Sequence, residues 1–104
     1  MGLLKREDKE LLPELYAVQA DPDPTVFVKL FYPAGAATWF LIEYSEEDNL
    51  AFGYVYITEW EFGYISLDEL EGLAIGGLKV ERDEFWTPKP VSAAKEEFLK
   101  NMGL

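Results

Sequence analysis

Neither cysteine nor histidine occurs among the 104 residues. Without cysteine there is no disulfide framework and no thiolate metal site, which fits a reducing compartment. Without histidine the chain lacks the commonest general base and the commonest transition-metal ligand. The two absences exclude nucleophilic triads built on either residue. Ser45, Ser66 and Ser92 all fall at turn or cap positions. Basic residues are scarce as well: 9 Lys and Arg stand against 20 Asp and Glu, a net charge of −11. That charge favours solubility and repels phosphate, so direct nucleic-acid binding and attachment to anionic membranes are both disfavoured. Long apolar runs are missing too, the longest being about a third of a membrane span. Residues 1–6 are too short for a signal peptide. The expectation is a cytoplasmic protein with no membrane segment and no cofactor.

What is present is apolar and aromatic. Hydrophobic residues make up 49% and aromatic residues 15% of the chain, most of the rings lying between 25 and 65. That is enough for one core, and residues 1–104 are read as a single domain. Leu4, Leu11, Leu12 and Leu15 recur at helical spacing, which predicts a helix over about 5–11 and a single turn over 13–16, divided by Pro13. Asp21-Pro22-Asp23-Pro24 makes an extended connector. Period-two runs rich in β-branched and aromatic residues predict strands over 25–32, 38–44, 51–58 and 62–66. Ser66 and Glu69 fit a capping box for a short helix over 67–71. Gly76-Gly77 marks a turn, and residues 78–83 read as a short strand running into a charged loop. Phe85 and Trp86 follow in an extended stretch and need cover. Ser92 is placed as the N-cap of a last helix over 93–102, closed by Gly103. The fold class is α+β: an antiparallel meander sheet of four or five strands with N- and C-terminal helices packed on it.

If the first hairpin centres on Gly35, Lys29 lies opposite Leu41 and Phe31 opposite Trp39. One face then collects Val28, Leu30, Phe40, Ile42, Val55 and Ile57, an aliphatic core face. The other collects Lys29, Phe31, Trp39, Leu41, Glu43, Phe52, Tyr54 and Tyr56. A one-residue slip would exchange the faces of a whole strand. The mixed face is the candidate binding site, with Lys29, Phe31, Trp39, Glu43, Tyr54 and Tyr56 as its residues. Rings supply contact area, and Lys29 with Glu43 could pair or receive a polar ligand. The alternative is a second small core in which Lys29 and Glu43 merely pair.

A second candidate is acidic. Glu61, Glu81 and Asp83, with Glu59 and Glu84 nearby, could hold a hard divalent cation for phosphodiester cleavage. Their spacing matches no EF-hand or Walker element. Arg82 between Glu81 and Asp83 reads instead as an ion-pair hub joining loop to sheet.

The order of several short motifs resembles a bacterial family designated domain of unknown function number 2958. These are Leu12-Pro13 with Leu15-Tyr16, Asp23-Pro24 leading to Lys29-Leu30-Phe31, Thr38-Trp39-Phe40 with Glu43, Phe52-Gly53, Glu61-Phe62-Gly63-Tyr64, Glu81-Arg82-Asp83 and Pro88-Lys89-Pro90. They span about residues 4–90, and Lys5 stands where such proteins often carry a capping threonine. The resemblance implies a fold and a setting on plasmids and integrated mobile elements. It brings no activity, cofactor or catalytic residue.

The leading expectation is therefore a non-enzymatic accessory or binding domain that engages a protein or small ligand through the aromatic face. One alternative is an acidic DNA mimic that opposes a DNA-binding protein. Another is a metal-dependent nuclease at the carboxylate cluster.

Overall fold

The structure, a computed structural model, describes residues 2–75 and 77–103. Gly76, half of the expected Gly76-Gly77 turn, lies outside them, as do both terminal residues. Helix α1 (Arg6–Leu11) is followed by a turn-rich segment and then by β1 (Thr25–Val26), β2 (Val28–Phe31), β3 (Thr38–Ser45), β4 (Leu50–Tyr56) and β5 (Trp60–Ser66). Helix α2 (Leu67–Gly72) comes next, then β6 (Ala74–Ile75), β7 (Leu78–Lys79), β8 (Glu81–Arg82), β9 (Lys89–Pro90) and α3 (Val91–Asn101). The class is α+β. Five antiparallel strands lie in the order β5-β4-β3-β2-β8, so a four-strand meander gains a fifth strand beside β2. Two short ladders, β1 with β9 and β6 with β7, stand apart from it.

The first predicted strand is broken at Phe27. Val26 joins the core beneath α3, whereas Val28 joins the core on the other side of the sheet. The chain turns over at Phe27, which lets β1 leave the main sheet and pair with β9. The hairpin between β2 and β3 has an even-membered loop: Gly35 N donates to Tyr32 O, and Tyr32 N donates to Ala37 O. Lys29 consequently pairs with Phe40, and Leu30 with Trp39. This is the one-residue slip that exchanges faces, so Trp39 and Leu41 trade places with Phe40 and Ile42. A β-bulge between Leu41 and Glu43 then restores the alternation, and Glu43 pairs with Phe52.

One face therefore carries Val28, Leu30, Trp39, Leu41, Tyr44, Ala51 and Ile65, packed with Leu4, Leu12, Leu67 and Leu70. The other carries Phe40 and Ile42 with Tyr54, Tyr56 and Trp60, packed with Trp86 and with Val91, Ala94 and Phe98 of α3. Of the two aromatics expected to need cover, Trp86 is buried and donates its indole N–H to Val26 O, but Phe85 is 94% exposed. The apolar stripe expected on α1 is only partly used: Leu4 and Leu12 are buried beside the helix, while Leu11 is exposed.

Capping follows two patterns. Ser66 Oγ accepts a bond from Glu69 N at 3.2 Å, the expected local cap of α2. Helix α3 begins two residues earlier than its sequence suggests, because a distant segment caps it. Val91 N donates to Pro24 O, and Ser92 N and Oγ donate to the two carboxylate oxygens of Asp23. Those bonds from Ser92 hold the Asp23 carboxyl below its ordinary value. The Asp-Pro connector is thus the N-terminal cap of the last helix.

Arg82 is the expected hub. Its Nε and Nη2 donate to both oxygens of Asp8 at 2.8 and 2.7 Å, and its Nη1 donates to Asp83 O. Asp8 is 4% exposed and also accepts the Lys5 N–H, so α1 is fastened to the β8 edge by a buried, fork-like ion pair.

Candidate docking surface

Five of the six residues assigned to the mixed face share it: Lys29, Phe31, Glu43, Tyr54 and Tyr56. Trp39 does not. It lies on the opposite face and is 6% exposed. The expected pairing of Lys29 with Glu43 is also absent. Lys29 Nζ sits 3.7 Å from Asp83 Oδ2 and 5.8 Å from the Trp86 ring centre. Glu43 is buried, and its two oxygens accept the backbone N–H groups of Tyr16 and Val18, each at 2.9 Å.

The role of Glu43 follows from what it holds. Tyr16 has φ = 71°, a left-handed conformation that costs a residue with a bulky side chain on the order of 1–3 kcal/mol. The carboxylate fixes that backbone and so aims the Tyr16 ring edge-on at Tyr64, with centroids 6.5 Å apart. Replacing Glu43 with glutamine turns one acceptor into a donor facing an N–H. We expect a loss of about 1–3 kcal/mol in urea unfolding, together with loss of the Tyr16–Tyr64 contact in aromatic NMR spectra.

The rings on this face are continuous. Trp86 stacks on Phe40, Phe40 on Trp60, and Trp60 on Tyr54 at 4.8 Å. Tyr54 meets Phe62 at 4.5 Å, and Phe62 meets Phe52, which meets Tyr64. Helix α3 covers one end of this row. Phe98 packs on Tyr56 and Trp60, while Lys95 Nζ lies over Tyr54 and Trp60 and donates to the Tyr54 hydroxyl. Residues 15–24 border the other end. Beside that segment a cleft of about 260 Å³ opens over Phe52, Phe62, Ile42 and Glu43. Tyr16, Phe62 and Tyr64 remain 59%, 52% and 53% exposed. The Tyr16 hydroxyl beside it raises the Tyr64 phenol above its usual value.

Sequence reading missed these three rings. Phe62 and Tyr64 follow Trp60 at period two, a signal that places all three on one side of β5. The position of Tyr16 depends on a contact 27 residues away, for which no local signal exists.

The carboxylate candidates are not assembled. Glu61 lies on β5 and Glu81 on β8, the two outer strands of the sheet, about 19 Å apart at four strand spacings. Asp83 is occupied by Lys29 and by the Phe85 N–H. Among the described residues no group of three or more acidic side chains could hold a metal ion. None of the described helices is long and apolar enough to cross a membrane.

A family model described as "Protein of unknown function (DUF2958)" matches residues 3–98. No curated protein and no solved structure matches the chain. Of the motifs that carry the resemblance, Lys29-Leu30-Phe31, Thr38-Trp39-Phe40 with Glu43, Phe52-Gly53, Glu61-Phe62-Gly63-Tyr64 and Glu81-Arg82-Asp83 fall on the main sheet, its bulge and its ion-pair hub. With nearly its whole length matched, the chain belongs to the DUF2958 family of proteins of unknown function.

Proposed function

We propose that the chain is a non-enzymatic binding domain that docks a protein partner on the uncovered end of its aromatic face. The observation that carries this reading is the joint exposure of Tyr16, Phe62 and Tyr64 in one row of touching rings. Single exposed apolar side chains are ordinary on protein surfaces, but contiguous ones mark contact sites. Tyrosine and phenylalanine add large contact area with few rotors, and the tyrosine hydroxyls supply polar tips. The rings stand on paired strands, so little ordering is needed on binding. A net charge of −11 favours partners that carry lysine and arginine over nucleic acid.

Selection from a displayed random-peptide library tests this, with the wild-type chain and a Phe62→Ser, Tyr64→Ser double variant as baits. Both residues are more than half exposed, so we expect the variant to keep the fold, which its urea unfolding checks. We expect sequences enriched on the wild type to bind the variant at least about tenfold more weakly. Equal binding to both baits, or no enrichment on the wild type, overturns the proposal.

A further inference from the structure

We propose, on the docking reading above, that the partner arrives as an extended, basic segment that adds as a sixth strand to the outer edge of β5. The two edges of the sheet differ. At one edge β8 is two residues long, and its Arg82 is locked on Asp8. At the other, β5 runs seven residues, pairs with β4 without a register shift, and contains no proline or lysine. Natural edges are usually blunted by such devices.

The hydrogen-bond phase of β5 follows from its end. Leu67 N donates to Asn49 O, which continues the β4–β5 register and makes that pair a mutually bonded one. Bonding alternates along an antiparallel ladder, so Glu61, Gly63 and Ile65 point their backbone groups at β4. Trp60, Phe62 and Tyr64 point theirs outward. Among the described residues no backbone group bonds to the outward backbone groups of Trp60, Phe62 and Tyr64.

Side chains of an added strand would alternate between two prepared surfaces. On one side they lie against Phe62 and Tyr64. On the other they enter a groove of about 400 Å³ whose lining includes Trp39, Val55, Ile57, Leu70 and Leu73. Gly63 leaves the groove open, for a Cβ built there meets nothing within 4 Å. Glu61 and Glu69 line the groove, and Glu59 lines a neighbouring hollow that shares Val55, Ile57 and Glu61 with it; none of the three carboxylates is ion-paired among the described residues. This charge selects lysine or arginine between apolar residues. It disfavours a second copy, which would bring the same three carboxylates.

The probe is an acetylated, amidated heptapeptide alternating lysine and isoleucine, added to the ¹⁵N-labelled full chain. We expect amide hydrogen exchange at Phe62 and Tyr64 to slow at least about tenfold. A Gly63→Val variant, whose Cβ meets nothing within 4 Å and whose methyls narrow the groove, should bind at least about tenfold more weakly while being no less stable than the wild type. The same peptide with glutamate for lysine, or N-methylated at its isoleucines, whose amides would face β5, should not bind. Ring shifts at Phe62 and Tyr64 without slowed amides overturn strand addition but keep the docking reading. Absence of any peptide binding also overturns strand addition, while the library selection judges the docking surface separately. Slowed β5 amides without peptide, with a dimer mass in sedimentation, assign the edge to a second copy and overturn the proposal.

Discussion

Replacing Gly53 with alanine is expected to unfold the protein or cost it at least about 3 kcal/mol, while the same change at Gly63 leaves it folded. The two glycines face each other directly across β4 and β5. Composition and strand propensity would treat them alike. Their surroundings do not. A Cβ at Gly53 would lie 2.0 Å from Phe40 O and 3.2 Å from Leu41 Cα, both of them backbone atoms. No rotamer change can relieve that contact, so β3 must move away from β4. The displacement falls beside the bulge at Ile42, where Glu43 pins the 15–18 turn and Phe40 stacks between two tryptophans. A typical domain of this size has only about 5–15 kcal/mol of stability in hand. At Gly63 the added methyl meets nothing within 4 Å. Losing glycine's extra freedom in the unfolded chain should then raise stability by about 0.5–1 kcal/mol. Urea unfolding of the two variants side by side checks both statements. Equal midpoints would refute the assignment of Gly53 to a forced close approach.

The contrast shows what local patterns can and cannot specify. The α+β class, the meander and the capped α2 helix are legible because each depends on neighbours in sequence: period-two runs, short loops and Ser66 three residues before Glu69. Arg82 as a hub was legible from its two acidic neighbours, although its main partner proved to be Asp8, 74 residues away. The faces were not legible. They depend on whether the β2–β3 loop is odd- or even-membered, and Gly35 near its centre suggested the wrong parity. That one residue sent Trp39 into the opposite core. The bulge at Ile42 returned Glu43 to its expected face, so five of the six residues assigned to the mixed face still share one face of the sheet despite an incorrect register. The start of α3 was hidden for a related reason. Its cap is Asp23, which the sequence presents only as part of a turn. Tyr16 entered the surface through Glu43, a long-range bond that no periodicity encodes.

Arg82→Met is the substitution expected to cost most outside the glycine pair, about 3–5 kcal/mol at neutral pH. Methionine keeps most of the aliphatic stem, so the loss falls on the guanidinium. Asp8, 4% exposed in the wild type, would keep only the Lys5 N–H and the more distant Lys5 charge to answer it. In the wild type, burial pushes the Asp8 carboxyl up, but the bonds from Arg82 and Lys5 outweigh it and hold the carboxyl below its usual value. A carboxyl lowered on folding contributes stability above its unfolded pKa and loses it as pH falls through the folded value. Removal of Arg82 takes away two of the interactions that lower the carboxyl and leaves burial opposed by Lys5 alone; we expect Asp8 then to resist ionisation, and the variant to gain relative stability as the carboxyl takes up a proton. The gap between wild type and variant should therefore be widest at neutral pH and narrow towards about pH 3. A second change, Asp8→Asn, removes the stranded charge. It should recover about 2 kcal/mol in the double variant, the signature of two groups acting as a pair. Unfolding of the four proteins in urea at both pH values measures the cycle. Additive losses that do not change with pH would show that Arg82 acts through its bonds to the loop, chiefly Asp83 O, and not through Asp8.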